Sequence, residues 1–347
     1  MKYIFLFCAI LLALLIYPCS GFSGDFQNVV VFGDSLSDKG NVFAATGEMY
    51  PPAPNYKGRF SDGPVWVEYL VEMLGLEGVF QDYAYGGAKT GDDQDEIVPG
   101  LLTQVTAHIA QVSLSAVYPT AFPAPADTLF IIWAGSNDFL SLETDPTATI
   151  TAAIENISSA LNKLKDAGAS SFLVANLPNL GATPRMNGST LTAAAGAQIS
   201  QAFNGALTST LDQFTAANPL LEVIRLDTFA ILSTILENPA AYGFTNTADP
   251  RLDTEAGTIA PNTYLYWDDL HPTSRGHRIL AQMALPLIDC QQCAGSSITT
   301  VAQDLTLTVP SADMGGLEFS FRLLPYENPA DQSGLFWQLD PESLIAQ

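Results

Sequence analysis

Apolar positions in this chain fall into two alternating kinds of segment. Residues 28–32, 128–133, 171–177 and 221–226 are short runs rich in Val, Ile, Leu and Phe. Runs of that length, apolar on both faces, predict strands buried in a parallel sheet. Between them, residues 101–117, 148–167, 191–217 and 274–288 carry apolar residues every three or four positions, the spacing of amphipathic helices. Leu161, Leu164 and Lys165 followed by Gly168 show an apolar face ending in a glycine stop. The alternation predicts an α/β fold, an open parallel sheet covered by helices on both faces. Ligands of such sheets sit beyond the carboxyl ends of the strands. Ser35 follows the first predicted strand and Asn137 the second, so both are expected on one rim.

The pattern changes at both ends. After Cys293 it turns to period two over 296–309 and 316–324, which predicts a β-rich tail of two or three strands. That tail either packs on the main domain or serves as a separate binding or attachment element. At the other end, Met1-Lys2-Tyr3, the apolar run 4–17 and Pro18-Cys19-Ser20-Gly21 follow the order of an export signal. The run is shorter than the ~20 residues a membrane helix needs. Tyr17 and Pro18 stand where a lipoprotein signal takes small residues, which argues against a lipid on Cys19. The expected organisation is a secretory signal peptide over 1–24, the α/β domain over 25–293 and a β-rich extension over 294–347. A secreted or periplasmic location follows from it.

Composition narrows the partners. With 36 acidic against 13 basic residues the net charge is −23, so nucleic acid is repelled. Asp92-Asp93-Gln94-Asp95-Glu96 lacks the ligand spacing of a calcium loop and reads as a solvated turn. Without the signal only Cys290 and Cys293 remain, too few for a zinc site and outside a strand-to-helix redox setting. In an oxidising compartment they are expected to form a small local disulfide. Asn156-Ile157-Ser158 and Asn187-Gly188-Ser189 are glycosylation sequons if the source is a eukaryote.

A serine becomes a nucleophile only beside a positioned base, and the chain offers three histidines. His108 lies in a predicted amphipathic helix, as a surface or packing residue. His277 lies inside the last helix between Arg275-Gly276 and Arg278, where it is disfavoured in its protonated form. His271 precedes Pro272, which keeps it out of helical backbone, and Thr273, which can cap the helix that follows. Asp268, three residues earlier, can turn back to hold Nδ1 of His271 and leave Nε2 for Ser35. Two further segments offer donors for an oxyanion: the glycine pair Gly86-Gly87 and the side-chain amide of Asn137. Taken singly, Gly-Asp-Ser is an ordinary turn and Asp-x-x-His an ordinary cap.

Jointly, Phe32-Gly33-Asp34-Ser35-Leu36-Ser37-Asp38 with Gly40-Asn41, the segment Gly86-Gly87-Ala88, Gly135-Ser136-Asn137-Asp138, and Asp268-Asp269-Leu270-His271-Pro272-Thr273 resemble the four sequence blocks of the GDSL lipase/esterase (SGNH hydrolase) family, in the family's order. The resemblance spans about 28–287. It implies a three-layer α/β/α sandwich of flavodoxin type over 25–293 and no metal or organic cofactor. It also implies Ser35, His271 and Asp268 as nucleophile, base and orienting acid, with the Ser35 and Gly87 amides and the Asn137 side chain as the oxyanion hole. Gly87 is preferred to Gly86 by alignment with the second block. Asp82 departs from the asparagine that relatives often carry there. Residues 51–63 resemble the loop of secreted lipase- and lecithinase-like members, which points to lipid or fatty-acyl esters and transient contact with lipid surfaces or polysaccharide. The competing readings are a carbohydrate O-acetyl esterase and a non-catalytic secreted binding module.

Overall fold

The computed structural model describes residues 26–76, 80–92, 97–113, 125–140, 145–253, 258–260, 262–289, 303–309, 317–327, 335–339 and 345–346. In chain order its main elements are β1 (Asn28–Gly33), α1 (Asn41–Ala45), α2 (Trp66–Met73), β2 (Phe80–Asp82), α3 (Leu101–Ser113), β3 (Thr128–Trp133), α4 (Pro146–Asp166), β4 (Ser171–Ala175), α5 (Pro184–Asn187), α6 (Thr190–Ala217), β5 (Glu222–Leu226), α7 (Thr228–Glu237) and α8 (Ser274–Asp289). Five strands form one sheet in the order β2-β1-β3-β4-β5, parallel throughout.

The central strands are strands because both their faces are covered. Val30, Phe32, Phe130, Ile132, Phe172 and Val174 face a core closed by α3, α4 and α6. Trp133 on the opposite face meets Trp66 of α2 edge to face, with ring centroids 5.6 Å apart, and α2 packs on α8. The result is the three-layer α/β/α sandwich that the alternation and the resemblance imply. His108 of α3 is buried among Phe32, Tyr83 and Phe130, at 5.3–5.6 Å between rings, and is therefore a packing residue.

The helix starts follow local chemistry. Asp145 accepts the Thr147 amide at the start of α4, where Pro146 supplies a preset φ. Ser189 accepts the Thr192 amide at the start of α6. Among the described residues no helix is long and apolar enough to cross a membrane. Residues 297–347 form a compact unit of their own, an antiparallel sheet in which Leu317–Glu327 lies between Gln303–Val309 and Leu335–Leu339 and also pairs with Ile345–Ala346. The expected signal peptide, Cys290, Cys293, residues 93–96 of the acidic run and the last residues of the helix expected over 101–117 lie outside the described residues.

Candidate active site

The site forms on the carboxyl rim of the sheet. β1 ends at Gly33, whose N–H and C=O are both held by the Gln104 side-chain amide at 2.9 Å. The chain then makes one tight turn. Ser37 and Asp38 donate their amides to the Asp34 carbonyl at 3.0 Å, and the Asp34 carboxylate accepts the Leu36 amide at 3.0 Å. Ser35 sits on this turn. Burial pushes the Asp34 carboxyl up to about 7.

His271 arrives from 236 residues away, with Nε2 2.7 Å from Ser35 Oγ. Its Nδ1 is 2.7 Å from Asp268 Oδ2. Asp268 Oδ1 accepts the amides of Leu270 and His271, at 2.9 and 2.7 Å, and so closes the turn that aims the ring. Burial pushes the Asp268 carboxyl up, but the charge and hydrogen bonds of His271, with the two amides, outweigh this and hold it below the usual carboxylate range. An ionised carboxylate only accepts. The Nδ1 side of the ring therefore donates to Asp268, and Nε2 faces the Ser35 hydroxyl.

The imidazole loop is braced from several sides. The Phe60 ring lies 5.2 Å from the imidazole. Ser61 donates to the Pro272 carbonyl at 3.0 Å. Asp62 accepts the Ser274 amide at the start of α8 and pairs with Arg251. Arg185 grips Asp269 with two side-chain donors, at 2.8 and 3.1 Å. His277 is buried within α8, and burial lowers it to about 3, so it stays neutral.

The two glycines are not equivalent. The Gly86 amide is taken by Asp38 Oδ2 at 2.8 Å, whereas the Gly87 N–H has no partner among the described residues. Gly87 has φ +86°, a conformation that glycine adopts without strain. Asn137, in a short 3-10 turn after β3, donates one Nδ2 proton to the Ala88 carbonyl at 2.9 Å and lines the same cleft as Ser35. The Ser35 amide also has no partner among the described residues.

Two residues that sequence reasoning gave no role stand behind these loops. Asp38 and Asn41 bind the turn after Ser35 to the strand and loop that lead into Gly86. Burial pushes the carboxyls of Asp38 and Asp82 up. Asp82, the departure from the family pattern, accepts the Lys39 amide at 2.9 Å and the Ala84 amide at 2.9 Å.

From Ser35 a cleft, open to solvent, runs between Trp133, Leu180, Ile231, Ile235, Leu265 and Leu280. Ile231 and Ile235 belong to α7. That helix is anchored through Asp227, which accepts the Ala230 amide at 3.0 Å and the Asn176 side chain at 2.8 Å, and through the Thr228 hydroxyl on the Asn176 carbonyl at 2.7 Å. Among the described residues no cluster of His, Cys, Asp and Glu has the arrangement of a metal site.

A family model described as GDSL-like Lipase/Acylhydrolase matches residues 29–283. The thermolabile hemolysin of Vibrio parahaemolyticus is 29% identical, over 75% of this chain and 63% of its own length, so the chain spans less than two thirds of that relative. The phosphatidylcholine-sterol acyltransferase of Aeromonas hydrophila is 25% identical, over 77% of this chain and 91% of its own length. An acetylesterase of Thermothelomyces thermophilus is 31% identical, over 73% and 85%. With most of its sandwich inside the family match, this chain belongs to the GDSL-like lipase/acylhydrolase family.

Proposed function

We propose that the protein is an exported carboxylic ester hydrolase that works through Ser35, His271 and Asp268 and prefers fatty-acyl esters. The observation that carries the chemistry is the unbroken relay of two 2.7 Å contacts, Ser35 Oγ to His271 Nε2 and His271 Nδ1 to Asp268 Oδ2, at the mouth of a cleft. In the first step His271 Nε2 takes the proton of Ser35 as Oγ attacks the ester carbonyl. The carbonyl oxygen becomes an oxyanion, for which the amides of Ser35 and Gly87 and the free Nδ2 proton of Asn137 are the donors. Collapse expels the alcohol, protonated by His271, and leaves an acyl-enzyme. Water, deprotonated by the same nitrogen, then releases the acid. Asp268 stays ionised and holds the imidazolium that forms in each half-reaction. No step asks for a cofactor.

The apolar walls favour a fatty-acyl group, since a polar sugar ester leaves its hydroxyls unpaired against Ile231, Ile235 and Leu280. A relative named as a phosphatidylcholine-sterol acyltransferase agrees with a lipid ester. The acetylesterase relative supports the second reading, release of acetate from a carbohydrate. Export is supported by the order of charged, apolar and small residues at the start of the sequence.

The test is a fluorophosphonate probe followed by peptide mapping. Label on Ser35, lost in His271→Ala, is expected; label on another serine in the active protein overturns the assignment.

A further inference from the structure

Behind Ser35 lies a buried carboxylate that the chemistry above does not use. Asp38 is fully buried, and its two oxygens take four backbone amides. Oδ1 accepts from Gly40 at 2.7 Å and Asn41 at 2.5 Å. Oδ2 accepts from Val42 at 3.2 Å and from Gly86 at 2.8 Å, the last one 48 residues away in sequence. The first three bonds begin the short helix α1. The fourth belongs to no helix and no strand pair, and it fastens the loop that carries Gly87 to the turn that carries Ser35. That turn is itself stiff, because the Asp38 amide returns to the Asp34 carbonyl at 3.0 Å. One turn of backbone and one carboxylate thus connect the serine hydroxyl to the amide next to Gly87.

A second strap runs beside the first. Asn41 Nδ2 donates to the carbonyls of Asp82 and Ala84, at 3.0 and 2.8 Å, and holds the chain that enters the glycine pair. A buried carboxylate is costly unless it is fully hydrogen-bonded, and bonds from amides to a charged oxygen are shorter and stronger than neutral ones. Helix capping alone needs only the three local amides.

We propose that Asp38 is a positioning residue for the oxyanion hole: through its bond to the Gly86 N–H it sets where the Gly87 N–H meets the oxyanion of an ester attacked by Ser35. The proposal rests on the ester-hydrolase reading above and deepens it. Asp38 itself touches no substrate. Preorganised donors act on charge that develops in the transition state, so displacing Gly87 lowers kcat and leaves ground-state binding unchanged. Asparagine keeps the shape of Asp38 but offers one acceptor and one donor group. Either the Gly86 side or the Gly40–Asn41 side then faces a donor.

The experiment compares wild type, Asp38→Asn and Asn41→Ala on a soluble p-nitrophenyl ester, together with inhibition by an alkylboronic acid, whose tetrahedral serine adduct places an oxygen where the oxyanion sits. For Asp38→Asn a fall in kcat of about 10- to 100-fold is expected, with KM within about twofold and boronic acid affinity lost in parallel with kcat. Asn41→Ala is expected to show the same split, smaller in size, and it carries the test if Asp38→Asn does not fold. A kcat within about twofold of wild type in every folded variant, or a fall in kcat with boronic acid affinity unchanged, overturns the proposal. Ser35→Ala is measured alongside. If Ser35→Ala keeps its activity, the assignment of Ser35 as nucleophile falls and takes this proposal with it. An inactive Ser35→Ala beside an unimpaired Asp38→Asn removes the positioning role alone.

Discussion

Adding methylenes to the acyl group of a soluble ester is the most direct probe of the cleft. Each CH2 transferred from water to an apolar wall is worth about 0.8 kcal/mol, or about fourfold in kcat/KM. From acetate to octanoate the ceiling is about 5 kcal/mol, on the order of 10³- to 10⁴-fold, less the entropy of ordering a flexible chain. The wall residues supply the surface: Ile231, Ile235 and Leu280 are each buried and line the same space as Ser35. Ile235 lies two helical turns along α7 from Thr228 at the helix start. Replacing it with tryptophan puts an indole where the chain is to lie. The expected outcome for wild type is a rise in kcat/KM with chain length, then a plateau. In Ile235→Trp the rise stops several carbons earlier and the acetate rate stays within about twofold. Steady-state rates on p-nitrophenyl esters below their aggregation threshold check both. Acetate as the best wild-type substrate, or two parallel profiles, refutes the argument that these walls hold the acyl chain.

Asp268→Asn removes the acceptor that fixes the Nδ1 proton, and kcat is expected to fall about 10³- to 10⁴-fold with little change in KM, measured by the same assay. Gly87→Ala meets no heavy atom closer than Val98 Cγ1 at 4.0 Å, so its cost is the backbone at φ +86°, about 1–2 kcal/mol by thermal melting, with a lower kcat as the amide turns away. His108 is lowered by burial to about 4; below its ordinary value of 6.5 the unfolded chain takes up a proton that the folded chain refuses until about pH 4. Stability is therefore lost as pH falls through that window, by about 3 kcal/mol from this group, and urea titrations of His108→Leu are expected to show a correspondingly flatter acid limb.

The sequence is most legible where burial is two-sided and local. β3 matches its expected bounds, and β1 differs by one residue, because continuous apolar runs admit little else. β4 stops two residues short of the expected 171–177, as Asn176 leaves the sheet to anchor α7. β2 escapes pattern reading because it is three residues long and two of them, Gln81 and Asp82, are polar. α2 starts after Val65 without a Ser, Thr, Asp or Asn cap, and only Glu68, reaching back to the Val65 amide at 2.9 Å, marks its start. α7 did carry a signal, the capping Asp227, but nothing in the sequence says that its apolar face closes a cleft. Pro272 and Asp268 identify His271 locally. Its 2.7 Å approach to Ser35 across 236 residues depends on the whole sheet, whereas the preference for Gly87 over Gly86 rests on alignment, and what the sequence does not show is that Asp38 occupies the Gly86 amide.

The anchoring of α7 on Asp227 and Asn176, rather than on the turn of Ser35 or the loop of His271, has an evolutionary reading. In the chemistry proposed above, bond making and substrate choice fall to parts of the chain that answer to different supports. Drift in Ile231, Leu232 or Ile235 can retune diet while the reacting atoms keep their places. A library confined to those three positions is expected to yield variants of diverse chain preference that react with fluorophosphonate at one common rate.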